Sequence, residues 1–181
     1  MKEFPARVMS RRWFLYLTVL GPVGFGVATT LGCEDGKSET IIEGFDYWFA
    51  DQLLKITNEE RIERDLPPFI QHSGLIEAAK EHAQEMAQNN FIAHQSLDGS
   101  THIDRIVRKG FSPNLLIKEN GIRGAIGESM TDRPFMYFKD FMNSKKGHRE
   151  NMLNPKLKLV GIGCYVQNPT RWCVIVFVGA P

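Results

Sequence analysis

Four short segments gather polar and ionisable groups among apolar neighbours: Phe91-Ile92-Ala93-His94-Gln95-Ser96, Lys118-Glu119-Asn120-Gly121-Ile122, Phe141-Met142-Asn143-Ser144 and Gly147-His148-Arg149-Glu150-Asn151-Met152-Leu153. Two imidazoles and one carboxylate, His94, His148 and Glu119, suit zinc or another borderline divalent ion, with a position left open for water. Glu119 would then orient an imidazole or act as a base. The same trio also serves without any ligand, as a buried hydrogen-bond network that pins a cleft. Arg149 and Asn151 flank His148. Arg149 suits an anionic ligand group or a structural salt bridge. Competing chemistries find no support: there is no His-Glu-x-x-His helix, no Gly-x-Ser-x-Gly elbow and no Gly-rich phosphate loop. With 22 Lys and Arg against 21 Asp and Glu, the chain has no general nucleic-acid surface.

The elements that must carry these groups follow from periodicity. Phe45–Arg64 reads as a helix with a stripe at Phe49, Leu53 and Ile56, ended by Asp65-Leu66-Pro67-Pro68. Ser73 is a fitting N-cap for a second helix to about Asn90, striped by Leu75, Ala79, Ala83 and Met86. His82 lies beside that stripe as a packed, hydrogen-bonded histidine, whereas His72 and His102 read as surface or loop residues. After the turn signal Asp98-Gly99-Ser100, Thr101–Lys109 forms a short helix closed by Gly110. Thr131 or Asp132 caps a further helix with Pro134 in its first turn and Phe135, Phe138 and Met142 on its buried side, Phe141 adjoining. Gly147–Leu153 gives one more helical turn, and the last 25 residues are strand-like. Helices first and a closing β-hairpin argue an α+β domain, with helices on a mostly antiparallel sheet.

Ahead of the domain, Lys2, Arg7, Arg11 and Arg12 precede a stretch from Trp13 to Gly32 without a charged residue. That is the layout of an export signal, and Ser10-Arg11-Arg12-Trp13-Phe14-Leu15 resembles a twin-arginine motif. Three fates fit residues 1–32: retention as a membrane anchor, cleavage and release, or a lipobox-like end at Thr30-Leu31-Gly32-Cys33 with lipid on Cys33. All three place the domain outside the cytoplasm, joined through a polar tether over residues 33–44, with the domain itself spanning 45–181. The remaining cysteines, Cys164 and Cys173, fall opposite each other when the strand-like runs are counted from Asn168-Pro169. A cross-strand disulfide and a pair of buried thiols both fit that placement.

Several of these pieces occur in an order that resembles the bacterial branch of the CAP superfamily, the cysteine-rich secretory proteins, antigen 5 and pathogenesis-related 1. Leu53-Leu54-Lys55-Ile56-Thr57-Asn58-Glu59-Glu60-Arg61 looks like its opening helix and Leu66-Pro67-Pro68-Phe69 follows. Phe91 to His94 with Asp98-Gly99-Ser100 is similar to the next block, and Phe141 to Leu153 to the closing one, where a Trp is common at the position of Phe141. The resemblance implies an α-β-α sandwich whose central cleft holds two histidines and acidic residues, with zinc or another divalent ion in some members. His94 and His148 match the histidines. Glu119 matches the acid of a Gly-Glu-Asn block, although Lys118 replaces the Gly and Gly121 is inserted, and Glu128 is its rival. Ser144 stands where a second acid is found elsewhere in the family. The resemblance further implies a binding domain at the outer face of a membrane, for an envelope component, a lipid or sterol-like molecule, or a protein. The alternative is a metal-dependent hydrolase or peptidase using His94, His148 and Glu119.

Overall fold

The computed structural model describes residues 43–126 and 133–181. The signal-like residues 1–32, Cys33, the cap residues Thr131 and Asp132, and Glu128 lie outside the described residues. Among the described residues, no helix is long and apolar enough to cross a membrane. The element order is β1 Glu43–Phe45, α1 Tyr47–Glu63, β2 Ile70–Gln71, α2 Ser73–Gln88, α3 His102–Arg108, β3 Leu116–Ala125, α4 Arg133–Asn143, α5 His148–Met152, β4 Leu157–Gln167 and β5 Thr170–Gly179. The sheet runs β1-β4-β5-β3, with β2 added in parallel to β4 and the other pairs antiparallel. Glu43 and Gly44, read above as tether, are therefore strand: Glu43 pairs with Gln167 and Gly44 with Val166.

Both faces of the sheet are covered, and β5 shows how one strand serves two cores. Its Trp172, Val174, Val176 and Val178 pack with Leu75, Ala79, Ala83 and Met86 of α2. The alternate residues Cys173, Ile175 and Phe177 pack with Phe49 and Leu53 of α1, Phe138 and Phe141 of α4, and Met152 of α5. A strand buried on both faces is apolar throughout, which explains the unbroken Trp-Cys-Val-Ile-Val-Phe-Val run. The result is the expected α-β-α sandwich closed by a hairpin. Cys164 and Cys173 are directly paired across that hairpin and joined as a disulfide. Its loss in Cys164→Ala/Cys173→Ala should cost about 2–3 kcal/mol for so short a loop, read as a lower urea midpoint.

On the α2 face, β4 contributes glycine where side chains would be expected. A Cβ on Gly161 would fall 2.1 Å from the Leu75 carbonyl carbon, and one on Gly163 2.3 Å from the Lys80 amide nitrogen. The helix backbone thus lies directly on the strand. Gly161→Ala should push α2 outward and cost about 2–3 kcal/mol, measured by chemical denaturation.

The local chemistry explains most element ends. Asp46 caps α1 by accepting from the Phe49 amide, so this helix starts two residues after Phe45. His72, not Ser73, caps α2: its ring accepts from the Gly74 amide at 3.2 Å, and Ser73 is already helical. Thr101 and Asp104 form a reciprocal capping box on α3, and Gly110 follows it at a φ of +90°. The buried side of α4 is Pro134, Tyr137, Phe138 and Phe141, one position away from the expected stripe. Phe135 is consequently 51% exposed. The cluster of phenylalanines made two neighbouring stripes equally plausible, and the buried Tyr137, edge-on to Phe49 of α1, selects between them.

Candidate functional site

The edge strand β3 carries the centre of the site, because successive side chains leave a strand on opposite faces. Glu119 points to one side and holds the loop between α2 and α3. Asn120 points to the other and holds α5. Glu119 Oε1 accepts from Nδ1 of His94 at 2.9 Å, and Oε2 accepts from the Arg105 guanidinium at 2.7 Å. Arg105, buried in α3, also donates to Ser96 Oγ at 2.9 Å and to the His94 carbonyl at 3.1 Å. Behind this, the His82 ring lies 2.8 Å from the Ala93 carbonyl and 2.9 Å from the Glu85 carboxylate, so it is the packed, bonded histidine its stripe suggested.

On the other side of β3, the Asn120 amide donates to the His148 carbonyl at 3.0 Å and accepts from Asn151 at 2.8 Å. Gly147 caps α5 in the left-handed region, at a φ of +87°, and swings His148 into place. The His148 ring meets Phe141 edge-on at 5.4 Å between centroids.

These surroundings set the charges. The Glu119 side chain is 2% exposed and that of His94 is 55% exposed. Burial pushes the Glu119 carboxyl up, but the hydrogen bond from His94 and the charge of Arg105 outweigh it, holding the group below its ordinary value. The bond to Glu119 raises the His94 imidazole above its ordinary value. His148 is shifted down, first by burial and then by the charge of His94.

His94 and Glu119 are thus bonded to each other and His148 is tied to the next residue of β3, but the three do not form a three-ligand metal set. Glu119 spends both oxygens within the protein. Among the described residues no group of three His, Cys, Asp or Glu side chains is arranged to hold a metal ion. The residues present therefore do not fit such a centre. Ser144 is half-buried, and its hydroxyl accepts from the Lys146 amide at 3.1 Å in a local turn. Arg149 is exposed on α5, with no salt bridge among the described residues. Asn151 positions α5.

Three contributors were not read from the sequence. Arg105 is one, and Asn120 another, although it lay within a quoted segment. The third is His102, half-buried at the start of α3, with its ring 6.1 Å from that of His94. Burial holds its imidazole below the ordinary value. The turn signal at Asp98-Gly99-Ser100 placed a helix start here, and the eight-residue offset from His94 gave no hint that the loop folds back.

Comparisons with known proteins agree with this fold. Residues 54–178 match the cysteine-rich secretory protein (CAP) family. A Bacillus subtilis (strain 168) protein, YkwD, is 31% identical over 124 residues, covering 68% of this chain and 45% of that protein. The chain thus matches less than half the length of that relative. Among solved structures, an extracellular SCP-domain protein from Bacillus anthracis is similar at a TM-score of 0.60 and 25% identity, covering 73% of this chain and 40% of that one. An outer surface protein from Borrelia burgdorferi shares the fold at a TM-score of 0.63 and 19% identity, covering 78% of this chain and all (100%) of that one. The ordered blocks, the sandwich and the family match agree, and the chain belongs to the cysteine-rich secretory protein (CAP) family.

Proposed function

We propose that this is an extracytoplasmic ligand-binding domain, held at the outer face of a membrane by its N-terminal segment. The ligand is an envelope component, a lipid or sterol-like molecule, or a protein. The observation that carries the reading is the saturation of Glu119. A carboxylate bound by His94 and Arg105 and held ionised is a poor proton acceptor, because its bonded form is already its stable one. The cleft then offers imidazole surfaces and a polar edge rather than an activated water. Export is supported by the Cys164–Cys173 disulfide, which suits an oxidising compartment.

One observation favours the hydrolase reading. The Glu119–His94 pair fixes the ring so that Nε2 is turned from the carboxylate, the arrangement of an oriented base or ligand. The test compares the purified wild-type chain with His94→Ala/His148→Ala. Binding predicts that envelope lipid or protein co-purifying with the wild type is lost from the variant, while zinc supports no peptide or ester turnover in either. Zinc-dependent turnover by the wild type, abolished in the variant, would replace this reading with the hydrolase.

A further inference from the structure

Where the chain enters the domain, it exposes two large aromatic side chains in succession. Tyr47 is 60% exposed and Trp48 52% exposed at the first turn of α1. They border a shallow groove of about 360 Å³ with Phe45 and Val166. Packing elsewhere gives no reason for this exposure, since the next residues of α1, Phe49 and Ala50, are the ones turned to the core.

The patch is held in place and its acids are already used. The Lys80 ammonium lies 4.3 Å from the Phe45 ring centre and donates to the Tyr47 hydroxyl at 3.0 Å. Asp46 is paired with the buried Arg171, and Glu43 accepts from the Tyr165 hydroxyl at 3.1 Å. What remains outward around the groove is an indole, a phenol and a lysine stem, with the exposed Asp51 one turn further along α1. Tyr and Trp with this mixed character concentrate in the headgroup layer of bilayers, and lysine reaches past it to water.

The length of chain upstream identifies the occupant. The uncharged run ends at Gly32, and the sheet begins at Glu43. About ten residues span at most roughly 35 Å even when fully extended. A membrane that holds residues 13–32, or lipid on Cys33, therefore keeps this edge of the domain close to the bilayer. We infer that the Tyr47–Trp48 edge sits in the interfacial layer of the lipid bilayer to which the N-terminal segment tethers the chain. The inference rests on the tether reading proposed above.

Tryptophan emission tests it. The chain has three tryptophans, and Trp13 lies in the apolar run. In full-length Trp13→Phe, Trp48 and Trp172 remain. Trp172 is only 4% exposed and donates to the Phe91 carbonyl, so it is an internal reference. Trp13→Phe/Trp48→Phe supplies the blank. The protein is reconstituted with phosphatidylcholine vesicles, with and without lipid brominated near the headgroup. The expected result is co-sedimentation, with the Trp48 share of the emission shifted to shorter wavelength and quenched by the brominated lipid, while Trp172 is unchanged. Co-sedimentation with Trp48 emission unshifted and unquenched overturns the inference and leaves the tether standing. Failure to co-sediment overturns both.

Discussion

Replacing Arg61 with Leu should lower unfolding stability by about 4 kcal/mol, because several buried backbone carbonyls lose their only charged donor together. The Arg61 side chain is fully buried, with its guanidinium 3.7 Å from the centre of the Phe69 ring. It donates to the carbonyls of Pro67 at 2.9 Å, Met152 at 2.8 Å, Asn154 at 3.2 Å and Leu157 at 3.3 Å. One planar cation thus joins the end of α1, the segment after it, the end of α5 and the start of β4. Leu fills much of the space but supplies no donor. Lys should recover only part of the loss, since a single ammonium cannot fan out to four acceptors. Urea unfolding of the three proteins measures this, with unchanged slope expected. A loss below about 1 kcal/mol would show that these carbonyls are readily satisfied otherwise. A second readout lies in the cleft: α5 carries His148, so amide exchange in residues 148–152 should quicken in Arg61→Leu.

Glu119→Ala should cost about 3–5 kcal/mol, the range for removing one partner of a buried ion pair. The penalty arises mainly from Arg105, which is left buried with its counter-charge gone. Glu119→Gln keeps the shape and should cost less, while still removing the charge. In both variants the His94 imidazole should titrate lower than in the wild type, since its raised value comes first from the hydrogen bond to Glu119. Its ring proton shift against pH follows this directly. An unchanged His94 titration in a folded Glu119→Gln protein would mean that the pair does not form in solution.

The same pair sets a pH window. Glu119 is held below its ordinary value of 4.5, so its contribution is complete above that pH and is lost as the pH falls through the lower folded value. His94 is raised above 6.5, so its contribution is complete below that pH and is lost as the pH rises through the raised value. The pair contributes most between about pH 4.5 and 6.5. The alkaline limb should be shallow because the His94 ring is half exposed to solvent. Urea midpoints of wild type minus Glu119→Gln, measured through that range and beyond both of its ends, report it.

Local rules made much of this protein legible from its residues. A turn signal such as Asp98-Gly99-Ser100, a stripe such as Leu75-Ala79-Ala83-Met86, and an apolar run such as Trp172–Val178 each involve residues within a turn or two, or one strand. Their energetics are decided by near neighbours and by water. The facing of Cys164 and Cys173 followed from counting out from a two-residue turn. The ordered blocks carried the family and with it the sandwich. What the chain could not show locally was which groups meet after long excursions. His94 and Glu119 are 25 residues apart, and Asn120 reaches the His148 carbonyl across 28. Arg105 and His102 were ordinary helix residues until α3 packed beside β3. The face of α4 was likewise settled by α1, through Phe49 against Tyr137. Glu119 carried the same ambiguity: sequence marked it as a carboxylate for a cleft, but only the packing of Arg105 on one oxygen and His94 on the other made it a closed, ionised strut. A side chain's chemistry is set by its type, while its availability is set by what tertiary packing places within hydrogen-bond reach of it.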